Sequence, residues 1–470
     1  MSDAPRSAPP ASAFAMAGQL VTHAWPVLVA QLLSMAMLVA DTVIAGRYST
    51  AALAGVAVGG SIAISVMLLL TGILQAVAPT VAHHVGAQQP AKIASSVQQG
   101  FWLALLLAIP GVLMLRYPQP VLQLAGVHGD VAERAVEYLG AVAWGLPAML
   151  LYRTFYALSN AIGRPRVLMA ISAVATATHI PLAWGLTHGA LGMPPLGGLG
   201  CGISSAVVNW LAMGCGALTM WLHPRFRSLQ LFAHWGRPRW PAIGALLRLG
   251  VPMGLSSFID VTSFTLIALF AARLGADTVA GHRVVANFTG LIYMVPLSLS
   301  IATMVMVGQA NGARDPVRAR LAVRVGLGLV VMLAVVMGAG MWLLREPLVR
   351  FSSVDPAVIG VALGLVVYLC AYQLFDGVQT LLAYALRGYK VSFMPMLLHT
   401  VCLWGIGLVG GYWLSFGAGP RIGGNPIQGF WAAIVVATLL VAVLLAILTR
   451  MVAGRAAKEA DDAKARAAAR

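Results

Sequence analysis

The sequence predicts an all-α integral membrane protein of twelve transmembrane helices, on three observations. Of its 470 residues, 60% are hydrophobic and only 9% are charged, with a mean hydropathy of +0.86. A soluble domain carries charge on roughly a quarter of its residues. Apolar runs of about the 20 residues needed to cross a bilayer recur twelve times. The second half of the chain also echoes the first, which divides the helices into two pseudo-symmetric six-helix lobes with a central cavity between them.

The first run, 24–46, contains Pro26 and carries Asp41 toward its outer end. The second covers 52–78, the third 95–116 with Pro110, and the fourth 133–157 with Pro147. The fifth, 167–188, holds His179 and Pro181, and the sixth covers 199–222. Beyond a polar loop, the seventh run, 245–272, contains Pro252 and Asp260, and the eighth, 279–307, contains Arg283 and Pro296. The ninth is 321–344, the tenth 357–386 with Asp376, the eleventh 393–416 and the twelfth 427–450. Prolines inside spans loosen helix hydrogen bonding and permit kinks. The expected organisation is a disordered cytoplasmic tail at 1–23, a first lobe at 24–222, an inter-lobe loop at 223–244, a second lobe at 245–450 and a charged cytoplasmic tail at 451–470. The opening stretch is rich in Pro, Ala and Ser and lacks the charged-then-apolar pattern of a signal peptide.

Sliding the chain along itself without a gap places Pro26 on Pro252, Arg47 on Arg273, Ala54 and Gly55 on Ala280 and Gly281, Gly86 and Ala87 on Gly312 and Ala313, and Pro90 on Pro316. Tyr156, Ala157 and Leu158 return as Tyr384, Ala385 and Leu386. An even number of spans per repeat makes both halves enter the membrane from the same side, related by an axis along its normal. Transporters built this way hold substrate between the halves and expose it alternately.

The net charge of +16 would suggest nucleic acid in a soluble chain. Here its distribution fits the rule that Lys and Arg stay on the cytoplasmic side. With both termini cytoplasmic, the opposite face carries Arg47, Arg116, Arg134, Arg273, Arg345, Arg350 and Arg421, and every other Lys or Arg except the intramembrane Arg283 falls inside. Cys201, Cys215, Cys370 and Cys402 lie in or at the ends of apolar runs, without metal-ligand spacing or a disulfide frame. No phosphate-binding glycine loop or clustered catalytic set is present. These absences predict a chain that is not an enzyme, binds no metal or cofactor and does not itself use ATP.

Charged groups at membrane depth are costly and mark function by default. In the tenth run Tyr372, Gln373, Asp376, Gln379 and Thr380 recur at spacings of three and four, one stripe of a helix. In the seventh, Ser256, Ser257, Asp260 and Ser263 do the same. Two facing stripes, each with a carboxylate, would make a cation site. Two carboxylates in a dry site repel, and taking up a proton relieves that repulsion, so such a site can trade a proton for a cation. The structural alternative is that Asp260 or Asp376 simply neutralises Arg283. His179 has a structural alternative as well, an imidazole satisfied by backbone in a helix bundle.

The stretches PVLVAQLLSMAMLVADTVIAGRYSTAALAGVAVG, VGAQQP, GHRVVANFTGLIYMVPLSLSIATMVMVGQANG and YQLFDGVQTLLAYALRGYK resemble the multidrug and toxic compound extrusion (MATE) transporters, in their NorM-like branch. The resemblance runs from about Trp25 to Arg450. It implies export of lipophilic organic cations in exchange for protons or sodium ions, at the inner membrane of a bacterium, with the bilayer and the substrate as partners, no nucleic acid, and a monomer. It places the family's acidic position of the first helix on Asp41, its seventh-helix carboxylate on Asp260, and its tenth-helix tyrosine and aspartate on Tyr372 and Asp376. His179, Arg283, Gln379 and Ser257 are secondary candidates. Two departures matter. His179 and Ala183 stand where some relatives resemble an asparagine pair, which weakens a sodium site and favours protons. Arg283 replaces an uncharged glutamine and is expected to pair with Asp260. Competing expectations are a lipid-linked oligosaccharide flippase of the wider superfamily, which would want a more basic cavity, and an integral-membrane enzyme.

Overall fold

In the computed structural model, which describes residues 12–192, 194–232, 235–417 and 423–468, twelve helices are long and apolar enough to span a bilayer. They are α1 (Ala13–Tyr48), α2 (Thr50–Gly86), α3 (Pro90–Arg116), α4 (Asp130–Ala161), α5 (Pro165–His188) and α6 (Gly198–Leu222). The second set is α7 (Trp240–Leu274), α8 (Ala276–Gly312), α9 (Pro316–Leu343), α10 (Pro356–Gly388), α11 (Phe393–Phe416) and α12 (Ile427–Ala463). Each contains one of the predicted runs, except that α9 ends at Leu343, one residue short of its run.

One expectation fails at the amino terminus. Residues 13–23 form the first turns of α1, and Met16 and Leu20 are fully buried. Met16, Leu20 and Ala24 recur every fourth residue, which aligns them on one helix face packed into the hydrophobic core that also contains Ile259, Leu365 and Ile434. Reading the stretch by its Pro, Ala and Ser content hid that stripe. Residues 1–11 of the expected tail lie outside the described residues.

The chain forms two compact units, and their boundary does not lie in the loop at 223–244. One comprises the residues up to Trp25, Gly86–Gln88 and Ile259–Arg470, and the other Pro26–Val85 with Gln89–Phe258. The first part of each repeat's leading helix thus belongs to the unit built mainly from the other repeat. α1 has 36 residues and α7 has 35, well beyond the ~20 a bilayer needs, so each is long enough to serve two cores.

Within the second of these units, α7 meets α2 through glycines. A Cβ on Gly250 would overlap the carbonyl oxygen of Ile73, one on Gly254 would lie 2.7 Å from the carbonyl oxygen of Leu69, and one on Gly72 would lie 2.5 Å from the Cα of Gly254. Gly250 and Gly254 are four apart, the small-xxx-small spacing that lets helix backbones touch in lipid. Gly250→Val is therefore expected to lower stability by at least the 1–3 kcal/mol typical of overpacking, read as an earlier thermal unfolding of the detergent-purified protein. Gly244→Val, where a Cβ meets nothing within 4 Å, is the control and should leave the unfolding curve in place.

The loop at 223–244 is pinned to α3. Gln98 donates from Nε2 to the carbonyl oxygen of Leu231 at 2.7 Å and accepts from the Gly236 N–H at 3.2 Å. Gln99 donates to the carbonyl oxygen of Arg237 at 3.1 Å and accepts from the Arg239 N–H at 2.7 Å. Trp102 donates from its indole to the carbonyl oxygen of Gly236 at 3.0 Å, and Trp235 stacks on Phe101 and Phe232. Two buried amides thus satisfy loop backbone groups that would each cost about 1–3 kcal/mol if left buried and unpaired.

α11 is not a regular α-helix throughout. Phe393–Thr400 is α-helical, Val401–Gly410 is a π-helix, and Gly411–Phe416 returns to α. Gly405, Gly407 and Gly410 punctuate the widened stretch, and π segments are rare and often mark functional positions.

Candidate functional site

Each compact unit carries buried polar side chains within its spans. In the unit containing α2 to α6, Asp41 on α1 meets His179 on α5, with Nε2 2.9 Å from Oδ1. Both side chains are nearly sealed from solvent, at 7% and 2% exposure. The hydroxyl of Ser204 on α6 lies 3.1 Å from both Nδ1 and the backbone carbonyl oxygen of His179. That geometry suits either charge state of the imidazole. When Nδ1 is bare, Ser204 donates to it; when Nδ1 carries a proton, it donates to Ser204, whose own proton turns to the carbonyl. Nδ1 therefore has a partner whether it accepts or donates, a condition that buried polar groups must meet.

In the unit containing α8 to α12, the predicted stripe of α10 closes on itself. Asp376 Oδ1 accepts from the Tyr372 hydroxyl at 3.2 Å and from Gln379 Nε2 at 2.9 Å, and all three side chains are buried. Neither donor carries a charge. Gln373, one residue from Tyr372, is buried with both amide atoms unpartnered among the described residues. Tyr293 on α8 bonds to Thr380 and lies within electrostatic reach of both Asp260 and Asp376. An aromatic wall backs the stripe: Tyr372 meets Phe264 and Trp431 edge-on, with ring centroids 5.7 and 6.3 Å away. The Trp431 indole donates to His282 Nδ1 at 3.3 Å.

Asp260 lies within Coulombic reach of Asp376, but its partner is one that sequence reasoning did not find. Oδ1 of Asp260 stands 2.5 Å from Nε2 of His399 on α11. The Asp260 side chain is 40% exposed and that of His399 only 8%.

Two secondary candidates fall outside these groups. Arg283 does not pair with Asp260: it is exposed, and among the described residues it forms no ion pair. The side chain that turns into the core at that turn of α8 is its neighbour His282, because adjacent residues on a helix point about 100° apart. Ser257 turns back on its own helix, donating to the carbonyl oxygen of Met253 at 3.3 Å. Among the described residues, no group of three His, Cys, Asp or Glu is placed to hold a metal ion.

Comparison with known proteins follows the same division. The family profile described as MatE matches residues 26–184 and 252–413, one segment per repeat. A relative named as the probable multidrug resistance protein NorM of Aromatoleum aromaticum is 61% identical over 446 residues, which is 95% of this chain and 96% of that one. The multidrug resistance protein PmpM of Pseudomonas aeruginosa is 37% identical over 438 residues, 91% of this chain and 90% of that one. Among solved structures, the eukaryotic MATE transporter AtDTX14 superposes with a TM-score of 0.85 at 20% identity, covering 95% of this chain and 99% of that one, a likeness of fold. On the matched segments, the twelve helices and relatives named for multidrug resistance rather than for enzyme activity, the chain belongs to the MatE family.

Proposed function

We propose that the chain is a secondary-active multidrug exporter that extrudes lipophilic organic cations by alternating access, energised by protons, with sodium ions as the alternative coupling ion. The observation that carries this reading is Asp376: a buried carboxylate held by neutral donors, within reach of a second carboxylate and with no ion pair of its own among the described residues. A negative charge with no fixed cation attracts a mobile one, and a proton competes for the same seat. The acidic character of the group favours a cationic passenger over the pyrophosphate of a lipid-linked sugar. The ability of Ser204 to satisfy His179 in either charge state supports protons over sodium, because an imidazole nitrogen next to Asp41 offers sodium one oxygen fewer than an amide would.

The reading places the chain in a bacterial inner membrane with both termini cytoplasmic, on the side where Arg225, Arg227, Arg237 and Arg239 collect. It acts as a monomer, since both carboxylate–histidine contacts are made within a single chain.

Proteoliposomes loaded with a fluorescent organic cation test the coupling. An imposed pH gradient in sodium-free buffer is expected to drive transport, and a sodium gradient at equal pH is expected to leave it at the level of empty liposomes. The reverse result replaces protons with sodium.

A further inference from the structure

The bond between Asp260 and His399 has a counterpart in the other unit. His179 follows Asp41 by 138 residues and His399 follows Asp260 by 139. In both cases the carboxylate sits on the leading helix of a repeat and the imidazole on the fifth, and in both Nε2 faces Oδ1. Both pairs have a buried imidazole, whereas the contacts of Arg134 with Asp130 and Glu137 lie at the exposed start of α4. A second observation singles out His399. Its helix widens into the π segment two residues further on, so the backbone turns irregular just beyond the imidazole.

The groups acting on the charge of His399 are Asp260 on α7 and Asp376 and Arg387 on α10. Arg387 is itself buried, its guanidinium 4.2 Å over the Tyr384 ring. α8 adds the neutral Tyr293, in reach of both carboxylates, while among the described residues α12, packed along α11, places no charge against the imidazole.

We infer that His399 is a proton-holding positioning residue of the second coupling group, so that the transporter carries two matched aspartate–histidine pairs, one in each unit. This rests on the proton reading proposed above. A neutral imidazole on an ionised Asp260 gives the pair one negative charge. One further proton, taken by either partner, brings it to zero. An organic cation competes with that proton for the negative state, and His399 acts through Asp260 without touching the substrate.

His399→Gln tests it in proteoliposomes, because glutamine keeps an N–H donor near Asp260 but cannot titrate. The folded variant is expected to lose the change of transport rate with pH that an imidazole confers between about pH 6 and 8. Its steady-state substrate gradient should fall about tenfold per unit of imposed pH gradient, the share of one proton. A variant that folds and keeps the wild-type pH profile and gradient overturns the inference, leaving His399 as a strut. If the variant is inactive or misfolds, nitrogen NMR of histidine-labelled wild type in nanodiscs decides. A carboxylate-bonded His399 imidazole that changes charge as pH is varied supports the inference, and one that keeps a single charge state throughout overturns it. A wild type driven by sodium with no pH gradient sinks the proton reading itself, a result distinct from either.

Discussion

Asp376→Asn abolishes concentrative transport while leaving the protein folded. Asparagine has the shape of aspartate, and its Oδ1 still accepts from Tyr372 and Gln379, so the stripe of α10 survives. What is lost is the charge. A unit charge about 4 Å from a cation contributes ~4 kcal/mol at an effective dielectric of 20, about a thousandfold in affinity. Proteoliposomes with Asp376→Asn should therefore show transport at the level of empty liposomes under the pH gradient that drives the wild type. Thermal unfolding should shift little or upward, since burying a neutral amide is less costly than burying an ionised carboxylate. Asp260→Asn follows the same logic with a smaller effect, because its half-exposed carboxylate attracts a cation through more water. Wild-type transport by Asp376→Asn would remove this carboxylate from the coupling site.

How much of this could be read from the sequence depends on whether an interaction lies within a helix or between helices. Asp376, Tyr372 and Gln379 were legible because a helix places residues three and four apart on one face, and all three lie on α10. The twelve spans were legible because bilayer thickness fixes their length. His399 was not, because nothing in the periodicity of α11 says which neighbour its imidazole meets, and the run containing it reads as uniformly apolar. A signal was present in the spacing: the Asp41–His179 interval recurs almost unchanged as Asp260–His399. The gap-free alignment of the repeats concealed it, since it sets Asp41 on Ile267 and His179 on Gly405. The two pairs correspond by helix order and not by that register. Arg283 misled for the converse reason. A cation standing where relatives carry an uncharged glutamine suggested a pair, but the helix face decides, and at that turn the inward face belongs to His282.

His179→Leu is the substitution expected to cost most stability, and its repair separates structure from coupling. Asp41 is buried and His179 is its hydrogen-bond partner, so removing the imidazole strands a carboxylate in the helix bundle. Breaking a buried pair from one side typically costs about 3–5 kcal/mol, and Ser204 loses its Nδ1 contact as well. The purified variant should unfold well below the wild type in a tryptophan-monitored melt. Replacing both partners, as Asp41→Leu with His179→Leu, removes the stranded charge and should recover most of the loss, because a buried ion pair is often matched by well-packed apolar groups. Transport behaves differently. The double variant has regained a sound core but has lost the buried carboxylate–imidazole pair of that unit, so the proton-coupled gradient should stay depressed by about tenfold per pH unit, one proton's worth. A double variant as unstable as the single would show that packing around His179, and not the stranded carboxylate, sets the cost. One that is stable and fully coupled would leave Asp41 and His179 as scaffold and put the whole proton cycle on Asp260, His399 and Asp376.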